Sequence, residues 1–371
     1  MGSASREMFV QPVLSTHRYG ERVSAISCPP ASSLKRGSLD TSFRGEVAML
    51  VLKTIILLLT LAALHPEPGY AQSVRMSYTG TPGFTTPFWL TYEAGLLKKQ
   101  GLRGEIIMVS GGALNLQALI AGEVDFVNAA GPALINAVLK GADLTIIASA
   151  FNFLPYGLVV GKDIRSPNDL KGKRVTLSGF GGLEEFAIRL ALDKLGVDPN
   201  GVTFLRSGAD AVRIAALVSG AASAMVVSPP SLFRAETLGL RVMLDFSELN
   251  FSFPGSIIVS RRSLVAEQRS TVSKFLMAYI EGLHIFKTNK KYAVQVMQKY
   301  MKLNDADLLS KSVDYYVKNT PLVPLTEATA VKNASPADKA GNIKPEDFYD
   351  NSLLREIVSS GYVDKLERVA K

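Results

Sequence analysis

A strand–helix pattern that occurs twice constrains the fold of this chain more than any other feature of its sequence. Residues 173–230 read as strand, small-residue loop, helix, strand, helix and strand, with apolar strands at 174–177, 202–205 and 224–227. Strands that alternate with helices across short polar connections predict right-handed crossovers and a parallel sheet. Each predicted strand ends in small residues that start a helix, which is where open α/β sheets bind ligands.

An earlier segment, residues 74–132, repeats this pattern. The sequence Ala-Leu-x-x-Gly at residue 118 returns at residue 216, and Gly131-Pro132 is matched by Pro229-Pro230, both at an offset of 98 residues. Two similar halves predict a two-lobed molecule with a cleft between the lobes. The alternative is a pair of unrelated α/β segments, since small residues after strands are common.

Two further apolar strands, at 156–161 and 256–260, flank the second repeat. They predict two chain crossings between the lobes, which together form a hinge. We therefore expect lobe 1 to begin with residues 72–157, lobe 2 to comprise residues 158–255, and the chain to return to lobe 1 at 256–371.

The chain after the second crossing reads mainly as helices. Apolar residues recur at helical spacing between residues 263 and 287, and further helices are predicted near 292–301, 305–318 and 351–360. A connection rich in Pro, Thr and Ala, residues 321–336, separates the last two. We expect these helices to pack on lobe 1.

The first 48 residues differ from the rest of the chain. They are rich in Ser, Arg and Pro, they lack clear periodicity, and they hold the only cysteine, Cys28. Apolar content this low cannot offset chain entropy by burial, so the pattern predicts disorder. We interpret residues 1–48 as an upstream extension of the reading frame.

Residues 49–71 show the layout of a secretory signal peptide. Lys53 precedes an apolar run at 54–64, and Gly69 and Ala71 supply small residues at positions −3 and −1. We expect translation to start at the methionine that opens this segment, cleavage to follow Ala71, and the mature protein to be periplasmic. The alternative is a retained membrane anchor, although the run is shorter than the ~20 residues needed to span a bilayer.

Composition excludes several classes of function. The 371 residues are 47% hydrophobic and 20% charged, an ordinary globular composition with enough chain for two domains. The net charge is +8, but Lys and Arg are dispersed, which argues against nucleic acid as a partner. The processed chain has no cysteine, so it has neither a disulfide nor a thiol for catalysis.

An enzymatic active site is not evident in the processed chain. Its one histidine, His284, falls in the helical region after lobe 2, where a surface or packing role is more common than catalysis. The adjacent Glu184 and Glu185 follow a glycine-rich loop and are typical partners of a helix dipole. That loop, Gly179-x-Gly181-Gly182, lacks the P-loop lysine and the dinucleotide-binding spacing. We predict no catalytic residue, no metal and no cofactor.

Four motifs carry a resemblance to a known family. They are Asp-Leu-Lys-Gly-Lys within residues 164–175, Leu-Gly-Val-Asp-Pro at 195–199, Ala-Leu-x-x-Gly at 216–220, and Glu-Ala-Gly-Leu-Leu-Lys-Lys-Gln-Gly-Leu at 93–102. The chain resembles the extracytoplasmic substrate-binding proteins of ABC importers over roughly 74–290. It is most similar to the nitrate/sulfonate/taurine branch and its relatives that resemble thiamine-precursor synthases.

The resemblance implies a fold and a function. The fold would be α/β, a type II periplasmic binding protein with two lobes, each a mostly parallel sheet flanked by helices, joined by two hinge strands. The chain would be a monomer that holds a small ligand in the cleft and delivers it to an ABC permease with its ATPase, contacting the membrane only through the permease. One departure is Ser223, where the family has an aspartate and the first repeat has Asp125.

Other functions remain open at this point. A ligand-sensing periplasmic protein that serves a signalling partner would show the same sequence pattern. A thiamine-precursor-type enzyme is a further alternative, but those synthases rely on cysteines and histidines that are absent here.

The candidate ligand-binding residues follow the predicted strands. In lobe 1 they are Gly83, Phe84, Thr85, Phe88, Ser110, Gly111, Gly112, Asn128 and Ala129. In lobe 2 they are Gly179, Phe180, Gly181, Gly182, Ser207 and Ser228. Amide N–H groups at helix starts suit an anion or a polar head group, and the three phenylalanines suit an apolar body. For each phenylalanine, ordinary core packing is the alternative.

Overall fold

A computed structural model describes most of the chain. The described residues are 49–50, 53–54, 72–180, 182–249, 251–336 and 339–369. The chain divides into two units, Met1–Gly69 and Tyr70–Lys371. The predicted extension and all but four residues of the predicted signal peptide lie outside the described residues. No helix in the described part of the chain is long and apolar enough to cross a membrane.

Ten strands, counted over the described residues, form the framework of the second unit. In chain order they are β1 Gln72–Tyr78, β2 Leu102–Met108, β3 Phe126–Ala129, β4 Leu144–Phe153, β5 Gly157–Val160, β6 Arg174–Leu177, β7 Thr203–Arg206, β8 Ala224–Val227, β9 Arg241–Asp245 and β10 Ser252–Arg261. They build two five-stranded sheets, ordered β2-β1-β3-β10-β4 and β7-β6-β8-β5-β9.

The helices lie between and beyond these strands. They are α1 Thr86–Glu93, α2 Leu96–Lys99, α3 Gly112–Ile120, α4 Gly131–Leu139, α5 Leu183–Lys194, α6 Asp210–Val218, α7 Ser231–Thr237, α8 Arg262–Glu267, α9 Arg269–Thr288, α10 Lys290–Met301, α11 Ala306–Lys318, α12 Ala328–Ala334, α13 Ser352–Ser359 and α14 Tyr362–Val369. Short 3₁₀ turns occur at Gly83–Thr85, Pro167–Leu170, Pro199–Gly201, Phe246–Glu248 and Pro345–Phe348.

The two sheets share one topology, which confirms the α/β fold with two lobes. In lobe 1, β1 pairs in parallel with β2 and β3, while β10 lies antiparallel between β3 and β4. In lobe 2, β6 pairs in parallel with β7 and β8, while β5 lies antiparallel between β8 and β9. Four strands of each sheet therefore point one way, and the fifth is the strand that arrives from the other lobe.

The chain crosses between the lobes twice, as the sequence predicts. The first crossing joins β4 to β5 through residues 154–156, and the second joins β9 to β10. The backbone N–H of Phe246 donates to the carbonyl of Tyr156 at 3.0 Å, so the two crossing segments are hydrogen-bonded to each other.

The helices after the second crossing pack on lobe 1. Phe275 of α9 stacks on Phe126 of β3 with 3.8 Å between ring centroids. Gly282 of α9 lies so close to α1 that a Cβ there would be 2.6 Å from Thr91 Oγ1. The single helix predicted over 263–287 is two helices, because the chain leaves helical geometry at Gln268.

One helix in this region lies where the sequence predicts a connection. Helix α12 falls within residues 321–336 and buries Ala330, Val331 and Ala334. It is only seven residues long, too short for a periodic apolar pattern to stand out in a Pro- and Thr-rich segment.

A buried arginine ties two helix starts of lobe 2 together. Arg213 of α6 is fully buried, and its Nη1 lies 2.9 Å from Glu184 Oε2 at the start of α5. The same guanidinium pairs with Asp210 and donates to the carbonyl of Val226 at 3.1 Å. Because a buried charge is costly unless it is paired, these contacts make Arg213 a structural element of lobe 2.

A hydrogen bond outside the two crossings also joins α11 to lobe 2. The Tyr316 hydroxyl of α11 donates to the carbonyl of Pro229, which follows β8, at 2.7 Å. Gly83 lies against both groups, since a Cβ there would be 2.7 Å from Tyr316 Cε2 and 3.0 Å from the Pro229 oxygen. Close packing between the loop after β1 and lobe 2 therefore requires glycine at this position.

We predict that Arg213→Leu lowers the free energy of unfolding by about 3 kcal/mol, because it leaves two carboxylates without their shared cation. Arg269→Leu removes an arginine from an exposed pair with Glu356 and should cost less than about 1 kcal/mol. Denaturant unfolding of both variants measures the difference. Equal losses would contradict the structural role of Arg213.

We predict that Gly83→Ala lowers the free energy of unfolding by about 1–3 kcal/mol, because the added methyl overlaps Tyr316 and the Pro229 carbonyl. Gly341→Ala is the control, since nothing lies within 4 Å of its Cβ position. Thermal and denaturant unfolding give the comparison. A Gly83→Ala protein as stable as the control would show that the loops move apart at little cost.

Candidate functional site

A cleft of about 1710 Å³ lies between the two sheets. Lobe 1 lines it with the loops after β1 and β3 and with the start of α3, and lobe 2 with the loops after β6 and β8 and the start of α6. These are carboxyl ends of parallel strands, where helix starts direct N–H groups outward. Tyr156, from the first crossing, also lines it.

The structure brings most of the sequence-predicted ligand-binding residues to this cleft. Those that line it are Phe84, Gly111, Gly112, Asn128, Ala129, Gly179, Phe180, Gly182 and Ser228. Contact between ligand and these residues remains a prediction.

The other described candidates are not among the residues that line the cleft. Phe88 is fully buried and packs edge-on against Tyr279 at 6.4 Å, which is the core-packing alternative for this residue. Thr85 is 1% exposed, and Gly83 packs against Tyr316. Ser110 and Ser207 are described but are not among the lining residues, and Gly181 lies outside the described residues.

On the lobe 1 wall, the helix starts carry no carboxylate. Helix α3 begins after Gly111, which has φ +100°, and α4 begins after Ala130. Among the described residues, no side chain caps either start, and neither first turn contains an acidic residue. The first N–H groups of a helix have no acceptor within it, so those of Gly112 and Ala113 are available to a ligand.

On the lobe 2 wall, helices α5 and α6 each carry an acidic residue in the first turn. Glu184 Oε2 accepts the backbone N–H of Ser178 at 2.8 Å, and Asp210 is the first residue of α6. Both carboxylates pair with Arg213 and both line the cleft. The sequence predicts free N–H groups around Gly179–Gly182, but the Ser178 amide beside them is satisfied by the chain itself.

Tyr156 presents a hydroxyl to the cleft. The residue is 7% exposed, and no hydrogen bond joins its hydroxyl to any other described residue. Burial, and then the negative charges of Glu184 and Asp210, hold the pKa of Tyr156 well above its usual range. The hydroxyl therefore stays protonated at neutral pH and can donate to a ligand.

Exposed apolar side chains also face the cleft. Leu114 and Ile120 of α3 are 56% and 50% exposed, and Phe180 on the opposite lobe is 61% exposed. Sequence reasoning identified Phe180 but missed the two residues of α3, whose outward side only the packing of that helix reveals.

The cleft is also lined by cationic side chains. Lys140, Arg234 and Lys302 line the cleft together with the two carboxylates of lobe 2. In the described part of the chain, no group of three or more His, Cys, Asp or Glu side chains is placed to hold a metal ion.

Sequence reasoning also missed Thr79 and Tyr156. Thr79 follows β1 directly, so the rule that ligands bind at carboxyl ends of strands would have found it. Tyr156 carries no such signal, because it lies in a crossing between lobes.

Comparisons with known proteins agree with this architecture. A Brucella abortus protein named as a binding protein is 26% identical over 241 residues, covering 63% of this chain and 73% of the relative. The structure of a Methylobacillus flagellatus periplasmic sulfonate-binding protein of a sulfonate ABC transporter superposes with a TM-score of 0.65 at 16% identity, covering 80% of this chain and 96% of that one. The periplasmic aliphatic sulphonate binding protein of Escherichia coli gives 0.58 at 20% identity, with coverages of 71% and 85%.

The structural likenesses show the periplasmic binding protein fold. A family profile described as NMT1/THI5 like matches residues 84–293, which is more than half of the chain and includes both sides of the cleft. This chain belongs to the NMT1/THI5-like family.

Proposed function

We propose that this protein captures a small anionic or polar organic solute in the cleft and delivers it to an ABC permease with its ATPase. The observation that carries the proposal is the cleft itself, where both lobes meet and where the starts of α3 and α4 lie. The sulfonate-binding proteins of similar fold support this class of ligand.

The charge of the lining favours an anionic head group on lobe 1. The uncapped start of α3 supplies backbone donors and the positive end of a helix dipole. On lobe 2, Glu184 in the first turn of α5 and Asp210 in the first turn of α6 oppose an anion. Lys140, Arg234 and Lys302 add positive charge around the opening. The head group therefore belongs at lobe 1, and lobe 2 closes over the remainder.

The apolar lining favours a ligand with a carbon body. Leu114 and Ile120 face the cleft from one lobe and Phe180 from the other. The cleft volume of about 1710 Å³ exceeds the roughly 300–1000 Å³ of ordinary ligand pockets, so closure of the lobes would bring these side chains onto the ligand. Sulfonates, taurine-like compounds and thiamine-precursor-like compounds fit this description better than nitrate.

Binding without catalysis is part of the proposal. None of the described lining residues is a histidine, and the processed chain has no cysteine. The proposal also includes a periplasmic location, cleavage after Ala71 and a monomeric state. It keeps the lobe limits 72–157, 158–255 and 256–371. A ligand-sensing protein for a signalling partner is the second candidate, because it would use the same cleft. Reconstitution with the cognate permease separates the two.

We predict that the correct ligand stabilises and compacts the protein without being consumed. At 100 times its Kd, a ligand adds about 2.7 kcal/mol to the free energy of unfolding. A thermal-shift screen of small organic anions and aromatic metabolites identifies it, and small-angle scattering should then show a smaller radius of gyration. Product formed on prolonged incubation would contradict the binding role.

We predict that Ala113→Asp weakens anion binding at least tenfold, or about 1.4 kcal/mol, while leaving stability unchanged or slightly higher. Ala113 is exposed in the first turn of α3, where a carboxylate favours the helix dipole but repels an anionic ligand. Isothermal titration calorimetry measures the affinity.

The matched control is Thr329→Asp, which places the same charge in the first turn of α12, away from the cleft. It should leave affinity unchanged. If Ala113→Asp binds the anion as tightly as this control does, the head group does not lie at the start of α3.

A further inference from the structure

We propose that Asn115 is a positioning residue that directs the Thr79 hydroxyl proton into the cleft, so that the lobe 1 wall selects an oxyanion. This inference rests on the proposed function and specifies the chemistry by which the cleft recognises the ligand head group. It gives a role to a buried polar side chain that sequence reasoning did not identify.

A short hydrogen-bonded chain joins β1 to α3. The Ser77 hydroxyl donates to Asn115 Oδ1 at 2.6 Å, and Asn115 Nδ2 donates to Thr79 Oγ1 at 2.9 Å. Ser77 and Asn115 are both fully buried. Thr79 is the last residue of this hydrogen-bonded series. It is partly exposed and lines the cleft.

The oxygen and the nitrogen of a carboxamide are chemically different, which fixes the donor-to-acceptor direction of these hydrogen bonds. Its oxygen only accepts and its nitrogen only donates. Because Ser77 donates to the oxygen of Asn115, the nitrogen faces Thr79 and the Thr79 oxygen accepts. The single hydroxyl proton of Thr79 then points away from Asn115. No acceptor for it occurs among the described residues, so it is available to a ligand in the cleft.

Other donors reach the same cleft. Asn115 lies in the first turn of α3, and its backbone N–H donates to the carbonyl of Gly111 at 3.0 Å, so Thr79 sits beside the uncapped helix start. Independently of this wall, Tyr156 is 7% exposed and its hydroxyl has no hydrogen-bond partner among the described residues. The carboxylates that line the cleft, Glu184 and Asp210, both come from lobe 2.

This arrangement suits a group with several acceptor oxygens and no protons to donate. A sulfonate or a carboxylate meets that requirement, and charge-assisted hydrogen bonds to such groups are roughly twice as strong as neutral ones. An alkylammonium head group does not meet it, because the wall would then present donors to donors. The ligand class inferred from this wall is therefore an organic oxyanion.

Asn115→Asp reverses the direction of the hydrogen bond between residue 115 and Thr79. A carboxylate only accepts, so it draws the Thr79 proton toward itself and leaves lone pairs facing the cleft. The probe is the tightest binder from a panel of alkane- and arenesulfonates and carboxylates, measured against alkylamines and alcohols of equal length. We expect Asn115→Asp to weaken binding of that anion at least thirtyfold.

The control for added charge is Asn136→Asp, because Asn136 is exposed in the same cleft and makes none of these hydrogen bonds. The loss of affinity for the anion in Asn136→Asp should be several-fold smaller than the loss in Asn115→Asp. The loss in Asn115→Asp should also reverse as the pH falls and the introduced carboxyl takes up a proton, since a protonated carboxyl can donate to Thr79. A purely structural defect would not recover with protonation.

Substitution at Thr79 provides a second test if Asn115→Asp fails to fold. Thr79→Ser keeps the hydroxyl and should bind the anion within about threefold of the wild type, whereas Thr79→Val should lose at least tenfold. Equal affinities for Thr79→Val and Thr79→Ser, or equal losses for the two Asn→Asp variants, would overturn the inference.

The panel also separates this inference from the proposed function. A wild-type protein that prefers the amines or alcohols keeps a binding function, but the inference about Asn115 is then wrong. A wild-type protein that binds no member of the panel overturns the inference and the proposed anionic ligand together.

Discussion

The antiparallel strand in each sheet is the constraint on which the rest of the structure depends. Strand β10 lies between β3 and β4, and β5 lies between β8 and β9, so each sheet incorporates a strand that has just left the other lobe. Both edges of such a strand are hydrogen-bonded, and leaving them unpaired in a buried sheet would be costly. Each of the two crossings is thereby held by a paired strand, and the carboxyl ends of the parallel strands of both lobes line a common cleft.

The two lobes share a topology but differ in the charge they present. Lobe 1 leaves the starts of α3 and α4 free of acidic residues, whereas lobe 2 places Glu184 and Asp210 in the first turns of α5 and α6 and binds both to Arg213. The duplicated framework therefore need not produce two equal binding surfaces. On the function proposed here, one lobe recognises the head group and the other encloses the ligand.

Much of the fold could be predicted because its signals are local. The strands at 174–177 and 224–227 are predicted with the bounds that the structure shows, since an apolar run between turn residues is readable within a few positions. Helix α12 was missed because seven residues in a Pro- and Thr-rich segment give no period to read. Within the site, the strand-end rule located Gly111 and Phe180 in the cleft, but it also selected Phe88, whose ring faces the core.

The sequence by itself determined the order of strands and helices, the duplication, and hence the family of folds. Only the tertiary structure decided which side chains of the helix starts face the cleft and which are already satisfied. The physical reason is that a side chain's partners are set by packing between distant segments: Asn115 meets Ser77 and Thr79 across 38 and 36 residues of chain, and Arg213 reaches Glu184 across 29. The spacing of residues along one helix cannot predict such contacts, because they form only when α3 meets β1 and α6 meets α5 in the folded protein.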